Sequence, residues 1–265
     1  MNQATGNDDY AVMAIFYDHL APYRDRRDVA FFVEIAQHTP GPVLELGCGT
    51  GRVLIPTARA GKEIVGLDAS EAMLAVCREK LSSEPDDVQV RVHLVSGDMR
   101  RFEVGRAFGL ATIPFRPFQH VMTVDDQLSC LASIHRHLID GGRLVFDVYN
   151  PYLSRLIDDR YLVESDDIPE FTMPDGRRVT RRHRTVSRDL FNQVNEEELI
   201  YYVTHPDGRE ERFAYRFQMR YLFRFELEHL LVRSGFQVEA IYADYDKSPY
   251  GSKYPGELIC VARKG

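Results

Sequence analysis

The chain has 265 residues, 44% of them apolar, and a formal net charge of −7. That length suits one large domain or a domain carrying an insertion, with roughly 70–75% of the unfolded surface buried and no need for covalent staples. The acidic balance argues against a general polyanion binder, no run of about 20 apolar residues offers a membrane span, and the start lacks the basic-then-apolar pattern of a signal peptide.

In chain order, residues 10–20 read as a short helix interrupted at Ala21-Pro22, and a second helix runs from Asp28 to Gln37 with Val29, Phe32, Val33 and Ala36 on one face. Thr39-Pro40-Gly41-Pro42 is a break. Strand and helix then alternate. Val43–Leu46 is a strand, Glu45-Leu46-Gly47-Cys48-Gly49-Thr50-Gly51 forms a glycine loop, and a helix from Arg52 to Arg59 ends at Gly61. A second strand, 63–67, ends at Asp68, and Ser70 caps a helix whose face is Met73, Val76, Cys77 and Leu81. Third and fourth strands are expected at 89–95 and 108–113. A helix over 125–138 is expected to stop at Gly141-Gly142, before a fifth strand at 143–148. Between 161 and 221 the pattern becomes antiparallel. Pro174-Asp175-Gly176 and Pro206-Asp207-Gly208 are turns, and Phe213, Tyr215, Phe217, Met219 and Tyr221 alternate with Arg212, Ala214, Arg216, Gln218 and Arg220. A helix over 225–234 and strands at 237–242 and 257–262 close the chain.

Short apolar strands alternating with helices imply an α/β, Rossmann-like, mostly parallel sheet with helices on both faces. The antiparallel insertion follows the fifth strand and packs over the sheet's ligand end. The division expected is 1–160 for an N-terminal helical lid and cofactor-binding core, 161–222 for the insertion, and 223–265 for the end of the core sheet. Ligands in such sheets bind beyond the carboxyl ends of the strands.

The polar residues at those strand ends carry the chemistry. Gly47, Gly49 and Gly51 permit a tight turn that a ligand can approach closely. Asp68, at the next strand end, can accept hydrogen bonds from two ribose hydroxyls. A dinucleotide fingerprint needs G-x-G-x-x-G, but Arg52 stands at the sixth position, and Glu45 beside the turn disfavours a pyrophosphate while suiting a cationic sulfonium amino acid. An NAD-dependent oxidoreductase is therefore the weaker reading.

Glu45 to Gly51, Asp68 and Gly97-Asp98-Met99 resemble the conserved elements of class I S-adenosylmethionine (SAM)-dependent methyltransferases over about residues 43–149. The resemblance implies a seven-stranded sheet with an antiparallel last hairpin. It implies a SAM wall built from Tyr17, Glu45, Gly47, Cys48, Gly49, Gly51, Arg52, Asp68, Ala69, Met73, Asp98, Met99 and Pro114. The loop would hold the methionine part, Asp68 the ribose, Asp98 the adenine amino group, Met99 the ring and Tyr17 a cap. Within that superfamily the chain is similar to amino-sugar N-methyltransferases, in which a histidine near the acceptor amine follows the fourth strand, and His120 falls at that place. The sequence departs from them at Arg116, Pro117 and Phe118, where that family has small residues.

Other readings stand beside these. Asp68 also suits a helix cap, Tyr17 a buried helix face, His120 a structural histidine and Cys48 a small loop residue rather than a nucleophile. Residues 160–224 hold 12 basic and 12 acidic side chains, so the insertion suits a solvated face or a homodimer contact rather than a nucleic-acid surface. Cys48, Cys77, Cys130 and Cys260 lack metal or redox spacing, so no metal is expected and the setting expected is reducing and cytoplasmic. The function expected is methyl transfer from SAM to a small-molecule acceptor, an amine by the resemblance. The competitors are an RNA, DNA or protein methyltransferase and a non-catalytic SAM-binding protein.

Overall fold

A computed structural model describes residues 11–20, 23 and 26–265; Tyr10 and the expected interruption at Ala21-Pro22 lie outside the described residues. Seven strands form one sheet: β1 (Val43–Leu46), β2 (Ile64–Asp68), β3 (Val92–Ser96), β4 (Phe108–Ile113), β5 (Leu138–Val148), β10 (Phe236–Tyr242) and β11 (Leu258–Lys264), in the order β10-β11-β5-β4-β1-β2-β3. Pairing is parallel from β5 to β3 and antiparallel across β5, β11 and β10. The central strands β1 and β4 are buried at every position. Strands covered on both faces need apolar side chains in both directions, which is why they read as continuous rather than alternating runs.

Two helical layers cover that sheet. On one face α2 (Asp28–His38) and α3 (Leu54–Arg59) pack Phe31, Phe32, Leu54 and Ile55 against Val43, Ile64, Leu110 and Val145. On the other, α6 (Val124–His137) and α8 (Arg224–Arg233) pack Leu131, Ile134, Leu227 and Leu231 against Leu44, Leu46, Val65 and Phe146. Ser70 caps α4 (Glu71–Ser82), its Oγ accepting the Met73 N–H at 3.2 Å. Three short helices, α1 (Ala11–Tyr17), α5 (Asp86–Gln89) and α7 (Leu153–Ile157), are also present among the described residues, with 3₁₀ turns at Pro117–His120 and Asp159–Leu162.

Strands β6 (Ser165–Thr172), β7 (Arg178–Asp189), β8 (Val194–Thr204) and β9 (Glu210–Arg220) form a separate antiparallel sheet after β5, in sequential order. Both expected turns are present. Gly176 N–H donates to Met173 O and Gly208 N–H to His205 O, each at 2.9 Å, with φ of 85° and 86° that glycine adopts without strain. The apolar face of this sheet, with Leu199, Tyr201 and Tyr215, packs on Met13, Ala14 and Phe16 of α1, which in turn reach Met73 of α4. Helix α1 is thus held between the antiparallel sheet and α4.

Three local expectations are corrected. Gln89 ends the one-turn helix α5, and the third strand starts only at Val92, because Pro85 and two acidic residues open a helical turn. Gly141-Gly142 do not end a helix. α6 stops at His137, β5 begins at Leu138, and the glycines form an irregularity within β5, where its register on β4 jumps from Phe108↔Leu138 to Leu110↔Arg143. The buried face of α2 includes Phe31 and Asp28, which the reading from Val29 and Val33 passes over.

Gly109 in β4 lies against the 39–42 break, and its N–H donates to Pro42 O at 3.1 Å. A Cβ there would stand 1.8 Å from the Pro40 carbonyl oxygen. Gly109→Ala is expected to destabilise the fold by about 1–3 kcal/mol through overpacking, measured as a lower urea midpoint at unchanged m-value.

Candidate active site

The glycine turn is tied to the end of β2. Gly47, Gly49 and Gly51 have φ of 69°, 54° and 80°, a region open to glycine and costly for other residues. The Gly47 and Cys48 N–H groups both donate to Leu67 O. Asp68 takes the next donor: its Oδ2 accepts the Gly49 N–H at 2.7 Å, while its Oδ1 accepts the Ser70 N–H at 2.8 Å. The carboxylate thereby shapes the turn from both of its oxygens. Asp18, just past α1, closes the turn from outside. Its two oxygens accept Thr50 Oγ1 at 2.8 Å and Lys80 Nζ at 2.9 Å.

A cavity of about 480 Å³ opens at the carboxyl ends of β1, β2, β3 and β4. Its walls come from both sheets and from the N-terminal segment. Met13, Tyr17 and Tyr23 form one side; Gly47, Gly49, Leu67, Asp68, Ala69 and Met73 a second; Gly97, Asp98, Met99 and Arg100 a third. Phe115, Arg116, Pro117, His120 and Val121 follow β4, and Leu199, Tyr215, Phe217 and Met219 descend from the antiparallel sheet. The period-two stripe read in the sequence is the face that supplies the last three.

Of the residues singled out from the sequence, Tyr17, Gly47, Gly49, Asp68, Ala69, Met73, Asp98, Met99 and His120 line this one cavity. Glu45, Cys48, Gly51, Arg52 and Pro114 are not among its lining residues. Arg52 makes a two-pronged contact with buried Asp28, at 2.8 and 2.7 Å, and clamps α2 to the glycine turn. Burial lifts the Cys48 thiol well above its ordinary value, as expected of an inert core thiol. Both carboxylate oxygens of Asp98 accept hydrogen bonds from Arg100. Among the described residues no three His, Cys, Asp or Glu side chains are grouped to hold a metal, and no helix is long and apolar enough to cross a membrane.

His120 is exposed on the cavity side and packs on Phe217, ring centroids 5.5 Å apart. Its Nδ1 lies 3.2 Å from the Gln218 carbonyl oxygen. A carbonyl only accepts, so Nδ1 carries the proton and Nε2 is the basic nitrogen. The surrounding protein pushes the imidazole pKa below its usual value, partly opposed by the Gln218 hydrogen bond.

Sequence reasoning missed a buried ionic layer beneath Phe115. Asp147, fully buried in β5, accepts the Phe115 N–H at 2.6 Å and the Tyr245 hydroxyl at 3.1 Å. Arg26 donates to the same Tyr245 hydroxyl at 2.6 Å and lies over the Phe115 ring, 4.6 Å from its centroid. Glu257 pairs with Arg116 at 2.9 Å and with Arg26 at 3.5 Å. The members are far apart in sequence and none sits in a motif. The one local signal was an aspartate, Asp147, inside the buried apolar run 144–148 of β5.

Glu45 is 2% exposed, and its Oε2 has no hydrogen-bond partner. Burial raises its pKa to about 8, against the opposing pull of Arg52. Between its ordinary value of 4.5 and about 8 the folded chain holds a proton that the unfolded chain has lost. The stability this contributes is complete below the lower value, shrinks as pH rises through the window, and is gone above it. Glu45→Gln is expected to remove this term, so urea stability should fall less steeply from pH 5 to pH 8 than in the parent, by up to about 1.4 kcal/mol per pH unit. Equal slopes would show that Glu45 ionises normally.

The same architecture occurs in known enzymes. Residues 43–142 match the family described as a methyltransferase domain. The chain is 26% identical to a dTDP-3-amino-3,4,6-trideoxy-α-D-glucopyranose N,N-dimethyltransferase from Streptomyces venezuelae, over 80% of this chain and 82% of the relative. It is 24% identical to the cypemycin N-terminal methyltransferase of a Streptomyces species, over 87% of each. The SAM-bound structure of CalS10, an amino pentose methyltransferase from Micromonospora echinaspora, superposes with a TM-score of 0.66 at 23% identity, covering 100% of this chain and 99% of that one. Residues 43–142 thus carry a methyltransferase domain, and with the sheet order and glycine turn in agreement the chain is a SAM-dependent methyltransferase.

Proposed function

We propose that this enzyme methylates the amine nitrogen of a small molecule, with Asp68 and the glycine turn at the donor end of the cavity and His120 at the acceptor end. The observation that carries this reading is the continuity of the cavity: Gly49, Asp68, Met99, His120, Tyr215 and Phe217 all line one and the same space.

The residues fit SAM. Gly49 has open space where a Cβ would project, so a ligand can lie on its backbone. Glu45 keeps a buried, unpartnered carboxyl oxygen behind the turn, and its proton can leave when a cationic ligand arrives. Asp68 and Asp98 offer carboxylates at successive strand ends, with Met99 and Ala69 beside them. On this reading the turn and Glu45 receive the amino-acid part, Asp68 the ribose, and Asp98 with Met99 the base, the adenine amino group sharing Asp98 with Arg100. When bound, SAM supplies a methyl group on a positively charged sulfur, open to attack by a lone pair.

The chain's own residues then have two tasks. Aromatic and thioether side chains (Tyr17, Tyr23, Phe115, Tyr215, Phe217 and Met219) enclose the acceptor and keep water away, so alignment supplies most of the rate. An amine arrives protonated, and a protonated nitrogen has no lone pair. His120, neutral near pH 7 because of its depressed pKa, can take that proton on Nε2. The relatives whose names state an acceptor, a dTDP-amino sugar, a peptide N-terminus and an amino pentose, all present amines or amino sugars, which supports nitrogen as the nucleophile.

Asp68→Ala is expected to weaken SAM binding by about 10- to 100-fold in calorimetry, from the loss of charge-assisted hydrogen bonds worth roughly 1.5–3 kcal/mol. Binding as tight as the parent's would remove Asp68 from the donor site. His120→Asn should leave S-adenosylhomocysteine affinity unchanged and lower kcat by about 10²-fold or more on the amine acceptor. The acid limb of the parent's kcat profile should lie below pH 6.5, the ordinary value from which His120 is lowered, and should vanish in the variant. An unaltered profile would make His120 a structural residue.

A further inference from the structure

Arg116 lies on the cavity wall in a backbone conformation that its buried partners hold in place. Phe115 and Arg116 have φ of 66° and 73°, two successive side-chain-bearing residues in the left-handed region. Such strain persists where the surroundings over-determine it, and it gathers at functional sites. Here the surroundings are explicit. Asp147 and Glu257 hold the Phe115 N–H and the Arg116 Nη2, and Arg26 presses on the Phe115 ring. Pro117 then lies against the glycine turn, so close that a Cβ on Gly47 would stand 2.7 Å from its Cγ. This brings the turn that carries Arg116 against the donor end, with His120 one short 3₁₀ turn further on.

The guanidinium has donors to spare. Of its five N–H bonds, the Nη2 group donates to Glu257. Nε is buried without a hydrogen-bond partner, 3.9 Å from Asp147 Oδ2. No hydrogen bond ends on Nη1 among the described residues, and the side chain is 26% exposed, on the cavity wall. The other arginine on that wall, Arg100, has both Nε and Nη2 committed to Asp98. Nor do the carboxylates depend on Arg116. Glu257 also has Arg26 at 3.5 Å, and Asp147 is held by the Phe115 N–H and the Tyr245 hydroxyl. The guanidinium carbon lies 5.5 Å from the Tyr149 ring centroid; such a packed, planar group has little freedom left to lose when it binds an oxyanion.

We infer that Arg116 recognises the acceptor, and that the acceptor carries an anionic oxygen group, a carboxylate or a phosphate, near the atom that is methylated. The inference rests on the methyl-transfer reading of the same cavity. The ligand's charge is accommodated locally. Arg26, Arg52 and Arg116 already face Asp28, Asp147 and Glu257, and Asp147, pushed up to about 6 by burial, is the member that can take a proton as a further anion approaches.

The test uses the whole protein saturated with S-adenosylhomocysteine and three matched probes: benzoate, phenyl phosphate and neutral benzamide. Calorimetry should show at least tenfold tighter binding of one anion than of benzamide, and the anion preferred separates a carboxylate-bearing from a phosphate-bearing acceptor. Arg116→Gln should abolish that preference, and Arg116→Lys should retain part of it, while both keep the parent's affinity for S-adenosylhomocysteine. Equal binding of all three probes, or an anion preference that survives Arg116→Gln, overturns the inference. Failure of the methyl-transfer reading looks different: anions would still bind through Arg116, and no amine would yield S-adenosylhomocysteine from SAM.

Discussion

The site depends first on the Asp68 carboxylate. One oxygen holds the Gly49 N–H and the other holds the Ser70 N–H, so a single side chain fixes both the turn after β1 and the entry to α4. Charge-assisted bonds of this kind are short and directional. They orient the glycine turn toward the cavity, and they place Met73, on the first turn of α4, where it meets both the cavity and the apolar face over α1. Asp18 and Arg52 extend the same frame outward, to α1 and α2.

A second layer, made of buried charges, shapes the other end. Removing ions from water is unfavourable unless each finds close partners. Asp28, Asp147 and Glu257 find them in Arg26, Arg52 and Arg116, with Tyr245 as a shared hydroxyl. The arrangement joins the N-terminal segment, β4, β5 and the 242–257 connection at one point. An apolar core of the same volume would pack well but would not hold Phe115 and Arg116 in the left-handed region.

The parts legible in the sequence are those whose physics is local. A glycine turn between strand and helix, Ser70 as a cap, the two Pro-Asp-Gly turns and the period-two stripe from Phe213 to Tyr221 are each determined by a few adjacent residues. The illegible parts are long-range. Nothing near Asp147 in the chain announces that Phe115, Tyr245 and Arg26 converge on it. Phe115-Arg116 lacks the glycine or asparagine that normally marks positive φ. Gly141-Gly142 was legible as a break but not as a break of a strand, because the tertiary pairing of β5 with β4 decides where α6 ends. Glu45 and Arg52 stand out in the motif, but that Arg52 is spent on Asp28 of α2 follows only from long-range packing.

The antiparallel sheet has a consequence for how such an enzyme diversifies. Much of the wall beside the glycine turn comes from one contiguous stretch, residues 47–99, within the matched domain, whereas part of the wall across from it hangs from the hairpin between 194 and 220. That hairpin carries Leu199, Tyr215, Phe217 and Met219 on one face, and the residues between them point away. Replacing a lining side chain there alters one patch of the cavity wall and touches neither the glycine turn nor Asp68. The boundary between a part that must stay fixed and a part that can be varied therefore runs lengthwise through the cavity itself.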